Sequence, residues 1–97
     1  MVSLTVEAEG HLRELIAHYE AHDRLEAARN LLAALTEAQE RIAANPGAGL
    51  PAPRPYPDLK KPGRLWLKAG RYWVAYCQNP LVITGVFYEM ADIPGRI

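Results

Sequence analysis

The chain has 97 residues, 49% of them hydrophobic, and its 11 basic and 11 acidic side chains cancel to a formal net charge of zero. A chain of this size builds one core with little to spare, so a single domain over residues 1–97 is expected. No apolar run approaches the roughly 20 residues of a membrane span. The first residues lack the basic start and apolar core of a secretory leader, and the lone Cys77 cannot form an internal disulfide. A reducing, cytoplasmic setting is expected, with Cys77 as a buried thiol.

The zero total conceals a division. Residues 1–45 carry four arginines against eight carboxylates, net −4, whereas residues 46–97 carry seven cations against three carboxylates, net +4. The two parts of the fold should therefore present electrostatically distinct faces, the basic one suited to an acidic partner.

In chain order, residues 2–6 alternate apolar and polar, as a half-buried strand does. From Glu7 the period becomes helical, and Leu12, Leu15, Ile16 and Tyr19 predict a helix over 7–22. Asp23, with Glu26 three residues on, reads as a capping box that opens a second helix over 24–45. Its apolar stripe is Leu25, Ala28, Leu32, Leu35 and Ile42, with Gln39 filling the gap. Asn45-Pro46-Gly47 stops it.

Residues 46–63 hold six of the eight prolines and cannot be a regular helix or a central strand. Leu50, Tyr56 and Leu59 make the stretch too apolar for a free linker, so it is expected to be a stiff strap packed over the domain. Three β-branched and aromatic runs follow, 64–69, 72–77 and 81–88, separated by Gly70-Arg71 and Gln78-Asn79-Pro80. They read as an antiparallel meander over 64–89. The expected class is α+β: an N-terminal strand, an α-helical hairpin and a three-stranded antiparallel meander, with residues 2–6 pairing into the same sheet. The helical pair would cover one sheet face and leave the other available.

Three sets of residues could carry chemistry. His11, His18 and His22 follow one helical stripe, and His18 with His22 has the i, i+4 spacing of a two-ligand metal site. The stripe only flanks the apolar face and no HExxH pattern exists, so neither metal nor cofactor is expected. Arg64, Trp66 and Lys68 alternate onto one strand face, with Leu65 and Leu67 on the other. Cations beside aromatics suit a protein interface or phosphates and stacked bases; Trp66 and Trp73 as plain core is the other reading. Acid–base cleavage of RNA needs a proton acceptor, a proton donor and cations around the phosphate. Tyr88, Glu89 and Asp92 offer the first two, and Arg64, Lys68 and Arg71 the third. No histidine lies in this half, and the sequence has no phosphate-cradling glycine loop, CxxC or nucleophile elbow.

Taken together and in order, the segments HLRELIAHYE, RLEAARNLLAALTEAQERIAANPGAG, RLWLKAGRYWVAY and VITGVFYEM resemble the RelE/ParE superfamily of bacterial type II toxins. The Asn45-Pro46-x-x-Gly49 close of the second helix and the Gly70-x-Tyr72-x-Val74-x-Tyr76 opening of the hairpin are typical of it. The resemblance covers nearly the whole chain and implies a small antiparallel sheet against a helical hairpin. RelE-like members are ribosome-dependent mRNA endonucleases, whereas ParE-like members are similar to gyrase poisons.

By that resemblance Arg64 matches a basic position of the ribonucleases, and Tyr88 falls where some relatives have His. Trp66 and Trp73 stand where further cations are expected. Two losses from the cationic set favour the ParE-like branch, a toxin that inhibits DNA gyrase by binding. The alternative is a RelE-like mRNA endoribonuclease with Arg64, Lys68 and Tyr88 as its catalytic candidates. The target, gyrase or ribosome, would be met by Arg64, Lys68, Arg71 and Arg96. The resemblance also implies a cognate, ParD-like antitoxin in a hetero-oligomer, its helical segment laid across Leu12, Tyr19, Leu31 and Trp73. No membrane partner is expected.

Overall fold

The computed structural model of the chain describes residues 2–96, with side chains through residue 95. Strand β1 is only Ser3–Leu4, because Thr5 turns to another task. The Thr5 hydroxyl accepts the Ala8 N–H at 3.2 Å and caps α1, Val6–Ala21. Val6, read as strand, becomes the first helical residue and is exposed.

At the far end of α1, Asp23 has φ 53°. The Arg24 N–H reaches back to the Tyr19 carbonyl at 2.7 Å and the Asp23 N–H to the Glu20 carbonyl at 3.2 Å. This is a Schellman-type close with aspartate in the left-handed position that glycine usually takes. Asp23 therefore ends α1 and does not cap α2. Helix α2, Leu25–Ala44, starts behind Arg24 with no side-chain cap.

The buried face of α2 is also rotated from the predicted stripe. Leu31, Ala34, Leu35, Ala38, Gln39 and Ile42 are inside, while Leu25 and Leu32 are 62% and 48% exposed. The inward side gains Ala34 and Ala38, which let the helix approach the sheet closely. Ala34 Cβ lies 3.5 Å from where a side chain at Gly70 would begin. Buried Gln39 is satisfied by donating to the Val2 carbonyl at 2.9 Å.

The meander forms as predicted, with β2 Arg64–Ala69, β3 Tyr72–Gln78 and β4 Leu81–Tyr88. Gly70, at φ 57°, makes the first turn. The sheet order is β1-β4-β3-β2, and β1 joins β4 in parallel, so the four-stranded sheet is mixed. The register jumps from Ala75↔Gly85 to Tyr76↔Ile83. Thr84 is thus an extra residue in β4, and this bulge keeps Ile83 and Val86 on one face.

The molecule has an apolar core on each side of the sheet. On the helix side, Leu31, Ile42 and Ala38 pack against Leu67, Tyr72, Val74, Tyr76, Ile83 and Val86. On the other side Trp66, Trp73, Ala75, Phe87 and Ile93 form a second cluster, covered by Leu50, Tyr56 and Leu59 of the strap. The sheet face expected to remain available is therefore occupied. An open face would leave two indoles and a phenyl ring wet, and burying each such ring gains roughly 1.5–3 kcal/mol.

The strap is hydrogen-bonded as well as packed. Tyr76 Oη donates to the Pro46 carbonyl at 2.7 Å and accepts the Gly49 N–H at 3.0 Å. Leu50 exchanges both backbone bonds with Trp66 on the outer edge of β2, at 2.6 and 2.7 Å. The Arg64 guanidinium donates to the Leu59 carbonyl, and Tyr56 Oη donates to the Ala91 carbonyl at 3.4 Å.

Two denaturant melts test this account. Tyr76→Phe strands the Pro46 carbonyl and the Gly49 N–H, and is expected to cost about 1–2 kcal/mol. Trp66→Ala empties a fully buried site and is expected to cost about 3–5 kcal/mol. A loss below about 1 kcal/mol for Trp66→Ala would mean the strap does not cover the sheet.

Candidate functional site

The catalytic candidates do not converge. Arg64 and Lys68 share the strap side of the sheet with Trp66, in register with Cys77, Trp73 and Ala75. Tyr88 pairs with Tyr72 on the helix side, its ring edge-on to the Tyr72 ring at 5.8 Å. The sheet itself separates the cations from the phenol. Each cation is also engaged. Arg64 lies over Trp66, 5.2 Å from the ring centroid, and its Nε is buried. Lys68 Nζ is 3.2 Å from Glu89 Oε1 and 5.6 Å from the Trp73 centroid.

Of the four cations assigned to a target, Arg71 is presented outward. It sits in the β2–β3 turn with its side chain 74% exposed, 3.8 Å from Glu89. Arg64 and Lys68 are half-buried. The backbone of Arg96 closes a last 3₁₀ turn, Ile93–Arg96, but its side chain lies outside the described residues.

The four residues assigned to the antitoxin do not form one surface. Tyr19 and Leu31 belong to the helix-side core and Trp73 to the strap-side cluster, all three buried. Leu12 is half-buried against the helix-side core. The rotation of α2 is what carries Leu31 inside. The His18 and His22 rings meet at a tilt of 42°, with centroids 4.4 Å apart, on the exposed end of α1. His22 Nδ1 donates to the His18 carbonyl at 2.9 Å. No group of three or more metal-ligating side chains occurs among the described residues.

A concave surface does exist where α1 and α2 part above the ends of β3 and β4. It is a cleft of about 1200 Å³, walled by Leu15 and His18 from α1 and by Ala27 and Ala33 from α2, with Tyr72 and Tyr88 among its lining residues. The small residues of α2 leave room for a backbone to approach. The Tyr19 and Tyr72 hydroxyls share a hydrogen bond of 2.5 Å. Burial, then the bond to Tyr19, pushes the Tyr72 phenol above its ordinary range. Tyr72 therefore contributes a neutral hydroxyl and an aromatic ring.

Several structural contacts lie beyond the sequence patterns. Arg41 donates to the Lys68 carbonyl at 2.6 Å, binding the end of α2 to the edge of β2. His11 Nδ1 accepts the Val86 N–H at 3.3 Å, on the part of β4 that β1 does not reach. Arg54, in the strap, lies over Trp73 at 5.7 Å. The one signal for Arg54 was its place between two prolines. Arg41 and His11 act across the fold and leave no local pattern.

No helix is long and apolar enough to cross a membrane among the described residues. None of the curated proteins searched matches the chain. A family model described as the ParE toxin of the type II toxin-antitoxin system, parDE, matches residues 2–88, from β1 to the end of β4. That family implies a cognate antitoxin as partner in a toxin–antitoxin complex. With nearly all of the fold inside the match, the chain belongs to the ParE toxin family of type II toxin-antitoxin systems.

Proposed function

We propose that this ParE toxin acts by binding and not by cutting RNA, with DNA gyrase as its target and a helical antitoxin segment in the α1–α2 cleft as its neutralising contact. The observation that carries the reading is the filling of the strap-side sheet face. Cleavage of a phosphodiester requires cations and a proton donor aimed at one point, because developing charge must be stabilised where it forms. Here Trp66, Trp73 and Phe87 occupy that face beneath the strap. Arg64 and Lys68 already serve Leu59 and Glu89, and Tyr88 points to the opposite side.

A binding toxin needs none of that convergence. It needs exposed anchors on a rigid frame, and Arg71 at a tight turn supplies one. The cleft suits a helix laid into a groove, the mode in which a disordered segment folds on contact.

The decisive experiment runs a gyrase supercoiling assay beside a translation-coupled mRNA cleavage assay. Inhibited supercoiling with intact mRNA is expected, and ribosome-dependent cleavage with unaffected supercoiling would overturn the reading. Two variants refine it. Arg71→Ala should leave stability within about 0.5 kcal/mol while weakening growth inhibition on induction. Ala33→Trp fills the cleft from an exposed position. It should weaken antitoxin binding, measured by calorimetry, by about tenfold or more, at retained toxicity; unchanged affinity would move the antitoxin to another surface.

A further inference from the structure

The strap does more than cover the sheet. Pro53 is fully buried, and the Tyr56 N–H donates to the Pro53 carbonyl at 2.9 Å. These two residues close a four-residue turn with Arg54 second and Pro55 third. Pro55 restricts the backbone of Arg54, and Pro53 fixes its own φ, so the turn has little freedom to lose. Arg54 is exposed at its tip.

The Arg54 guanidinium rests 5.7 Å from the Trp73 ring centroid, and Lys68 Nζ lies 5.6 Å from the same centroid. Lys68 bonds Glu89, which also holds Arg71 at 3.8 Å. Arg54, Lys68, Glu89 and Arg71 thus form one array linked through Trp73, with a formal sum of +2. Among the described residues Arg54 has no carboxylate within ion-pair distance. It is positioned by an aromatic ring and left free to meet a carboxylate from outside.

We infer that Arg54 is a target-contact residue, the preorganised outer member of a basic array that docks on an acidic protein surface. This rests on the reading of the chain as a toxin that works by binding. The array favours carboxylates over a nucleic-acid backbone for three reasons. Its one aromatic ring, Trp73, is buried and cannot stack on bases. Glu89 stands between Lys68 and Arg71, where a continuous line of phosphates would meet it. The whole chain has zero formal net charge and lacks the broad positive field of a nucleic-acid binder.

The test uses the full chain and its Arg54→Ala and Arg54→Lys variants. The probes are purified DNA gyrase, titrated in supercoiling inhibition at two salt concentrations, and a 20-base-pair DNA duplex without gyrase. Growth inhibition on induction and melting temperature are measured alongside. Arg54→Ala is expected to raise the half-inhibitory concentration about tenfold at low salt. It should keep its melting temperature within about 4 °C and lose less inhibition than the wild type as salt rises. Arg54→Lys should fall between the two, because it keeps the charge and loses the planar fork.

Wild-type potency in Arg54→Ala, in both inhibition and growth, would overturn the proposal. So would Arg54-dependent binding of the duplex comparable to binding of gyrase, which would make the array a nucleic-acid site. If the wild type is toxic but leaves gyrase untouched, the gyrase reading falls. Arg54 is then judged on growth, and full toxicity of Arg54→Ala would sink it. A wild type that is neither toxic nor inhibitory overturns both readings.

Discussion

Strand β3 buries five consecutive residues, Tyr72 to Tyr76. Consecutive strand residues point to opposite faces, so a run of this kind requires a cover on both sides of the sheet. The helical hairpin supplies one cover, through α2 against β2 and β3 and α1 against β4. The second comes from the proline-rich stretch after α2, joined by Ile93 from the 3₁₀ turn after β4. Prolines cannot donate to a ladder, yet here they need not. Leu50 alone makes the bridge to β2, and the rest is held by side chains: Tyr76 on Pro46 and Gly49, Arg64 on Leu59, Tyr56 on Ala91. Proline also lowers the entropy lost on ordering such a segment.

That double cover shapes what the protein can do. A sheet face packed with Trp66, Trp73 and Phe87 has no room for a substrate, and the cations of β2 are displaced to its margins. There they become half-structural, with Arg64 supporting the strap and Lys68 held between Glu89 and Trp73. On the proposed reading, buried aromatic rings on this face supply none of the electrostatic stabilisation that phosphoryl chemistry depends on. In return they give a rigid frame that presents Arg71 and Arg54 at turn tips. Rigid presentation favours affinity because fewer rotamers and backbone states are lost on docking.

The sequence made the meander legible almost residue by residue, since three apolar, β-branched runs and their turns are strong local signals. It also made the helices legible to within a residue at each end, against Val6–Ala21 and Leu25–Ala44. It misled wherever two local rules competed. Asp23 fits both a cap and a left-handed turn, and the geometry between the helices selected the second. Leu35 and Ile42 fit two neighbouring stripes on α2, and the side with Ala34 and Ala38 won because it packs closer. Leu31, assigned to a partner, was drawn into the core by that choice. The strap was foreseen as packed, but its consequence for the opposite sheet face was not. Which rings it would cover depends on tertiary contacts that no periodicity encodes. Ile93, beyond the meander the sequence predicts, is a core residue for the same reason.

The charge division of the sequence becomes a division of the molecule. The carboxylates of residues 1–45 lie almost entirely on the helical hairpin, and Arg54, Lys60, Lys61, Lys68 and Arg71 lie on the strap and the sheet margin. Two layers of opposite sign repel different partners, which adds selectivity to whatever contacts each surface makes. The cleft walled by α1 and α2 carries Glu14, Asp23, Glu26 and Glu37 against Arg24 and Arg71, a formal sum of −2, whereas the array around Trp73, which meets the cleft at Arg71, sums to +2. A segment suited to one surface is charge-mismatched at the other. With the antitoxin proposed for the cleft and the target for the array, the sorting of partners follows from where the fold places each sign of charge.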